Sequence, residues 1–87
     1  MTIFIKTPGL IEQIVDGETV VLNKDSGQIH QFNPMASEIW QSIDGEKNTD
    51  SIVKHIVAKY EAEHDQVKTD VETTIQEMLT NNLISPV

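Results

Sequence analysis

The sequence predicts an α+β domain in which a three-stranded antiparallel meander precedes three helices. Up to about residue 33, apolar residues form short runs separated by turn signals, and beyond it they recur with the period of an α-helix. The length of 87 residues corresponds to one small domain, so we treat residues 1–87 as a single unit.

The first part of the chain contains three candidate strands at residues 11–15, 18–22 and 28–32. Asp16-Gly17 is a two-residue hairpin signal, because glycine tolerates a positive φ, and residues 24–27 form a second turn. Residues 3–5 could add a short strand, but Pro8-Gly9 separates them from the meander. We therefore expect residues 1–9 to be a flexible segment or an accessory strand.

Local signals also set the bounds of the first two helices. Asn33 is a good N-cap, and Pro34 suits the first helical position, where its missing N–H costs nothing. Asp44-Gly45 is expected to stop this helix. Thr49 is expected to cap the second helix.

The third helix carries an apolar stripe that includes Val71 and Met78, but its start is ambiguous. Either Asp65 caps it, or Thr69 and Glu72 form a capping box. Asn82 suits a left-handed C-cap, and residues 83–84 then return an apolar pair to the core.

The composition argues against several classes of function. There is no cysteine, and six lysines with no arginine against 14 acidic residues leave a net charge of −8. Nucleic-acid binding requires a basic face, and anionic membranes are disfavoured for the same reason. No apolar run approaches 18 residues and no signal peptide is evident, so we expect a cytoplasmic protein.

No motif specifies catalysis, so we expect a protein that is not an enzyme and needs no cofactor. The three histidines, at positions 30, 55 and 64, have no metal-ligand spacing, and no phosphate-binding glycine loop is present. We therefore predict no catalytic residue and no metal site.

The third predicted strand, residues 28–32, is the feature that physical argument singles out. Exposed strand edges are normally blunted by lysine, proline or a bulge, and this strand has none of these. Such an edge is a template for an added peptide strand, unless a helix or the N-terminal segment covers it.

The residues from Gly27 to Gly45 resemble the signature "G…LN..A..IW…DG" of the PqqD-like family. The resemblance spans roughly residues 10 to 85 and implies a winged helix-turn-helix domain. Members of this family are recognition elements for the precursor peptides of ribosomally made, modified natural products. The leader of the precursor adds to the third strand and packs against the third helix. Stand-alone members partner a maturation enzyme, such as a radical-SAM enzyme or a leader protease.

Three positions depart from the family pattern. Phe32 replaces the usual Leu, Asn82 replaces the usual Gly, and Thr74 replaces a usually apolar residue. Asn tolerates the left-handed conformation, so Asn82 leaves the fold intact. Thr74 predicts a more polar pocket and hence a different leader.

The resulting hypothesis is a non-catalytic adaptor that binds a leader peptide and presents it to a maturation enzyme. The shoulder of the third helix that carries Asp70, Thr74, Glu77 and Asn81 is expected to line the groove, although the opposite shoulder stays open. The acidic groove predicts a leader that bears Lys or Arg. The predicted peptide-binding residues are Gln28, Ile29, His30, Gln31, Phe32, Val67, Asp70, Val71, Thr74 and Met78.

Two alternatives from other classes stay open. A winged-helix transcription regulator would share the fold, since fold does not decide function. However, residues 66–81 hold one lysine against three acids, whereas a DNA-reading helix is rich in Arg, Lys, Asn or Gln. The other alternative is an interaction or structural subunit that uses the free edge to form a homodimer.

Overall fold

A computed structural model describes residues 2–87, so Met1 of the predicted N-terminal segment lies outside the described residues. Five strands and three helices follow in the order β1 (Phe4–Lys6), β2 (Leu10–Val15), β3 (Glu18–Asn23), β4 (Ile29–Phe32), α1 (Pro34–Ser42), α2 (Thr49–Tyr60), α3 (His64–Thr80) and β5 (Ile84–Pro86). The predicted fold class, a three-stranded antiparallel meander followed by three helices, is confirmed.

The meander has the strand order β2-β3-β4, which makes β4 an edge strand. The hairpin between β2 and β3 turns at Asp16 and Gly17, which both have positive φ, at 51° and 81°. This is the backbone of a two-residue turn that matches the twist of the strands. Val21 pairs with Glu12 on one side and His30 on the other, so these three side chains share the face that packs on the helices.

The N-terminal segment forms a second sheet that the sequence did not predict. β1 pairs antiparallel with β5, and Lys6 lies opposite Ile84. The N–H of Thr7 donates to the carbonyl of Leu83 at 2.9 Å, which continues this pairing. The segment is therefore an accessory strand, and it joins the C-terminal end of the chain rather than β4.

The core lies between the meander and the three helices. Trp40 is completely buried, and its ring centroid is 5.5 Å from that of Phe32. It is thus a core residue. The other buried hydrophobic residues are Phe4, Val21, Ile39, Ile43, Ile52, Val53, Ile56, Val67, Val71, Ile75, Met78, Leu83 and Ile84.

The N-caps of α1 and α2 show which residues determine where these helices begin. Asn33 caps α1 as predicted, and its Oδ1 accepts from the N–H of Ala36 at 2.8 Å. The predicted Thr49 cap of α2 is wrong. Asn48 is the N-cap, because its Oδ1 accepts from the N–H of Ser51 at 2.9 Å, and Thr49 is the first helical residue.

Both predicted starts of α3 are wrong. The N-cap is Glu63, whose side chain makes no capping hydrogen bond, and the helix already includes Asp65. The Thr69 hydroxyl donates to the carbonyl of Asp65 within the helix, so it does not serve as a cap.

The end of α3 follows the prediction. Asn82 has a φ of 58°, as expected for a left-handed residue after a helix. The chain then turns so that Leu83 and Ile84 are both buried. Among residues 2–87, no helix is long and apolar enough to span a membrane.

Candidate functional site

The outer edge of β4 is unpaired, since no other strand within the described residues lies beside it. The N–H of Asn23 donates to the carbonyl of Gln28 at 2.9 Å. This hydrogen bond, together with the register of β3 and β4, shows which residues of β4 direct their main-chain groups toward β3. Main-chain groups in an antiparallel pair point alternately toward and away from the partner. Those of His30 therefore point toward Val21, and those of Ile29 and Gln31 point outward.

One side chain of α1 holds the C-terminal end of β4 in place. The Ser37 hydroxyl accepts from the N–H of Thr19 at 2.8 Å and lies 3.2 Å from the carbonyl of Phe32, to which it donates. Thr19 and Phe32 are cross-strand partners. The hydroxyl thus bridges a pair that would otherwise close with a direct hydrogen bond, and it ties the edge strand to α1.

A groove separates β4 from α3. No Cα atom of α3 lies within 8 Å of a Cα atom of β4 in the described part of the chain. The space between them is an open cavity of about 300 Å³. It is lined by Ile29, His30, Gln31, Phe32, Ala36, Thr74, Glu77, Met78, Asn81 and Leu83.

A second cavity of about 370 Å³ continues the groove past the end of β4, between the start of α1 and α3. It shares Ala36, Thr74 and Glu77 with the first cavity. Its remaining lining residues are Asn33, Met35, Asp70 and Thr73.

The groove is acidic and polar. Its two charged lining residues are Asp70 and Glu77, and no lysine lines either cavity in the part of the chain that the structure describes. The Nε2 atom of His30 is buried and lacks a hydrogen-bond partner. A buried polar atom without a partner costs free energy.

The structure brings most of the predicted site residues to this groove. Ile29, His30, Gln31, Phe32, Thr74 and Met78 line the first cavity, and Asp70 lines the second. Val67 and Val71 lie in the core and line neither cavity, and Gln28 also lies outside the lining. That these residues bind a peptide stays a prediction.

Five lining residues were not among the residues predicted for the groove: Asn33, Met35, Ala36, Thr73 and Leu83. The sequence carried a signal for two of them. Ala36 occupies the alanine of the signature, where a small side chain leaves the groove open between α1 and α3. Leu83 is the closing apolar residue after the left-handed Asn82, and it lies on the wall of the first cavity.

A charged cluster on the far side of α1 fixes this helix against α2. Oε1 of Glu38 lies 2.8 Å from Nε2 of His55, and Oε2 accepts from Nζ of Lys59 at 2.9 Å. The hydrogen bond from Lys59 is the main cause that lowers the pKa of Glu38 below 4.5, and the hydrogen bond from His55 adds to it. The same contact raises the pKa of Lys59.

An open strand edge beside a groove distinguishes this small α+β domain. Residues 18–84 match the family described as coenzyme PQQ synthesis protein D, PqqD, and the chain belongs to that family. The resemblance noted in the sequence is thus confirmed.

Comparison with known proteins agrees with this assignment. A Rhizobium meliloti (strain 1021) protein named PqqA binding protein is 31% identical over 75 residues, which cover 86% of this chain and 74% of that protein.

Two solved structures share the fold. The structure of TbiB1 in complex with the TbiA(beta) leader peptide has a TM-score of 0.84 at 21% identity, covering 93% of this chain and 94% of that one. The structure of lasso peptide synthetase B1 complexed with the leader peptide has a TM-score of 0.83 at 22% identity, covering 95% and 98%.

Proposed function

We propose that this protein binds the leader segment of a ribosomally made precursor peptide and presents it to a maturation enzyme. The observation that carries the proposal is the unpaired outer edge of β4 beside a groove lined by α3. The leader adds as a further strand to β4 and directs alternate side chains into the groove. The names of the relatives, which bind PqqA or a leader peptide, support this assignment.

The chemistry of recognition is main-chain hydrogen bonding plus side-chain selection, so the protein acts without catalysis. The outward N–H and C=O groups of Ile29 and Gln31 pair with the leader. The cavity walls then select among leader side chains. The maturation enzyme is a radical-SAM enzyme or a leader protease, and the encounter takes place in the cytoplasm.

The test separates main-chain pairing from side-chain contact at a single position. Gln31→Pro deletes an outward N–H, whereas Gln31→Ala keeps it and removes the side chain. His30→Pro serves as the contrasting variant, because it deletes an N–H that points toward β3 and should damage the fold. The probes are fluorescently labelled synthetic peptides from the short reading frames that flank the gene, measured by anisotropy.

We expect Gln31→Ala to bind like the parent and Gln31→Pro to bind about tenfold more weakly. Circular dichroism melts establish that Gln31→Pro is folded. If folded Gln31→Pro binds as tightly as the parent, strand addition at β4 is wrong. If no flanking peptide binds the parent protein, the proposed function itself is rejected.

A further inference from the structure

A row of apolar side chains crosses the outer face of the meander and ends at its free edge. Ile11 pairs with Leu22, and Leu22 pairs with Ile29, so the three side chains share one face. The helices pack on the other face, where Val21 is buried. The exposed fractions of Ile11 and Ile29 are 46% and 68%.

The end of this row coincides with the place where a peptide strand would pair. Single exposed apolar residues are ordinary, but Ile29 is the outermost member of a continuous row on an edge strand. Cross-strand partners on one face hold their Cβ atoms about 4.5–5.5 Å apart. Ile29 also lines the first cavity, but the alternation of side chains along β4 puts its side chain on the face opposite that of Val21 and His30. A strand added to β4 would therefore place one side chain directly beside Ile29, on the face away from the helices.

We propose that leader recognition extends to this outer face, where the docked strand carries a β-branched or aromatic residue opposite Ile29. This residue lengthens the row Ile11–Leu22–Ile29 to a fourth strand and covers the exposed side chain of Ile29. The inference rests on the proposed function, because it requires that the leader pairs with β4.

The neighbouring cross-strand row shows why the preference for an apolar peptide residue is expected at one position only. In it Gln13 pairs with Val20, and Val20 pairs with Gln31, so a polar side chain stands at the free edge. The leader residue opposite Gln31 lies two positions from the one opposite Ile29, on the same face. It gains no apolar neighbour of comparable exposure, so apolar selection is expected opposite Ile29 and not opposite Gln31.

The probe is a display library of random dodecapeptides, panned separately against the wild-type protein and two variants. Peptides that Gln31→Pro also retains are discarded, so that only those that depend on the β4 edge are scored. Ile29→Thr keeps the branched shape and the N–H but adds a hydroxyl. Ile14→Thr is the matched control, because Ile14 is 62% exposed but lies on β2, at the opposite edge and on the other face.

We expect the peptides selected by the wild type to share Val, Ile, Phe or Tyr at one fixed position. They should bind Ile29→Thr roughly fivefold more weakly, and Ile14→Thr like the parent. A variant with a positive charge at position 29 provides a second test. Panning against Ile29→Lys should replace the apolar preference at that position with Asp or Glu, because opposite charges pair favourably across strands.

The outcomes separate this inference from the proposed function. The inference is wrong if the peptides that depend on the β4 edge show no apolar preference. It is also wrong if Ile29→Lys leaves that preference unchanged. Neither result contradicts leader binding at β4. If the library yields no peptide whose binding depends on the β4 edge, the inference is wrong, whereas the proposed function is decided by its own test with the flanking peptides. If Ile29→Thr alters the sedimentation of the free protein instead of peptide affinity, the row serves self-association and the inference is wrong.

Discussion

The indole Nε1 of Trp40 donates a hydrogen bond of 2.6 Å to Oε1 of Glu12. The same carboxylate oxygen lies 3.5 Å from Nζ of Lys6, which in turn stands 4.8 Å from the centroid of the indole ring. An exposed residue of β2 thereby gives the completely buried Trp40 its polar partner. Lys6 of β1 completes the arrangement, so the contact joins both sheets to α1.

Removing the hydrogen-bond acceptor at Glu12 should destabilise the fold more than removing only the negative charge of this residue. Glu12→Gln keeps a carbonyl oxygen for the indole N–H, whereas Glu12→Leu leaves this buried donor unpaired. We expect Glu12→Leu to lower the free energy of unfolding by about 1–3 kcal/mol, and Glu12→Gln by less. Urea denaturation measures both variants. Equal stabilities would mean that the hydrogen bond contributes little.

The Ser37 bridge can be tested by the same substitution at two positions of α1. Ser37→Ala leaves the N–H of Thr19 without its acceptor, so we expect a loss of about 1–3 kcal/mol and faster amide exchange at Thr19. Ser42→Ala is the control, because the Ser42 hydroxyl is also buried but donates only to the carbonyl of Glu38 within the helix. Unchanged exchange at Thr19 in Ser37→Ala would contradict the bridge.

The Glu38 cluster predicts a defined pH dependence of stability. Because its partners lower the pKa of Glu38 in the folded state, the ionised form stabilises the fold above pH 4.5, and this contribution is lost as the pH falls through the folded-state pKa. Glu38→Gln should therefore be less stable than the parent at pH 7, by on the order of 1 kcal/mol. The difference should shrink below about pH 4.5.

Melting curves between pH 3 and pH 7 measure the pH dependence of this difference. Glu72→Gln, at an exposed position of α3, is the control and should track the parent protein throughout. A Glu38→Gln deficit that persists unchanged at pH 3 would show that the cluster acts through packing rather than charge.

The acidic groove predicts salt-dependent association with a basic leader. Glu77 lines both cavities and Asp70 the second, so a peptide that carries Lys or Arg should bind more slowly as ionic strength rises. Glu77→Gln should weaken this dependence, and Glu72→Gln, which lines neither cavity, should not. Stopped-flow mixing with a labelled leader peptide measures the rate. A rate that stays flat with salt would mean that the acidity serves solubility alone.

The sequence predicted the fold correctly at two places where a strong local signal determined the backbone. Asp16-Gly17 specified a hairpin, and Asn33-Pro34 specified the start of α1. The start of α3 could not be read in this way, because Glu63 caps the helix without a side-chain hydrogen bond.

Strand β5 and the lining of the groove depend on contacts between distant segments. Residues 84–86 are extended because β1 lies beside them. The helical period placed Val71 on the apolar stripe of α3 and Thr74 on the shoulder expected to line the groove, and in the structure Val71 is buried and Thr74 lines the first cavity. The period could not fix the roll of the helix, so packing decided which of the two shoulders faces the groove.

The pairing of β1 with β5 has a consequence for the order of folding. It joins opposite ends of the chain, so its closure entropy exceeds that of either hairpin, and we expect it to form late. Leu83, which lines the first cavity, is held by the N–H of Thr7 at the margin of this pairing. The meander can thus assemble early from local contacts, whereas one wall of the groove reaches its final position only when the two ends of the chain meet.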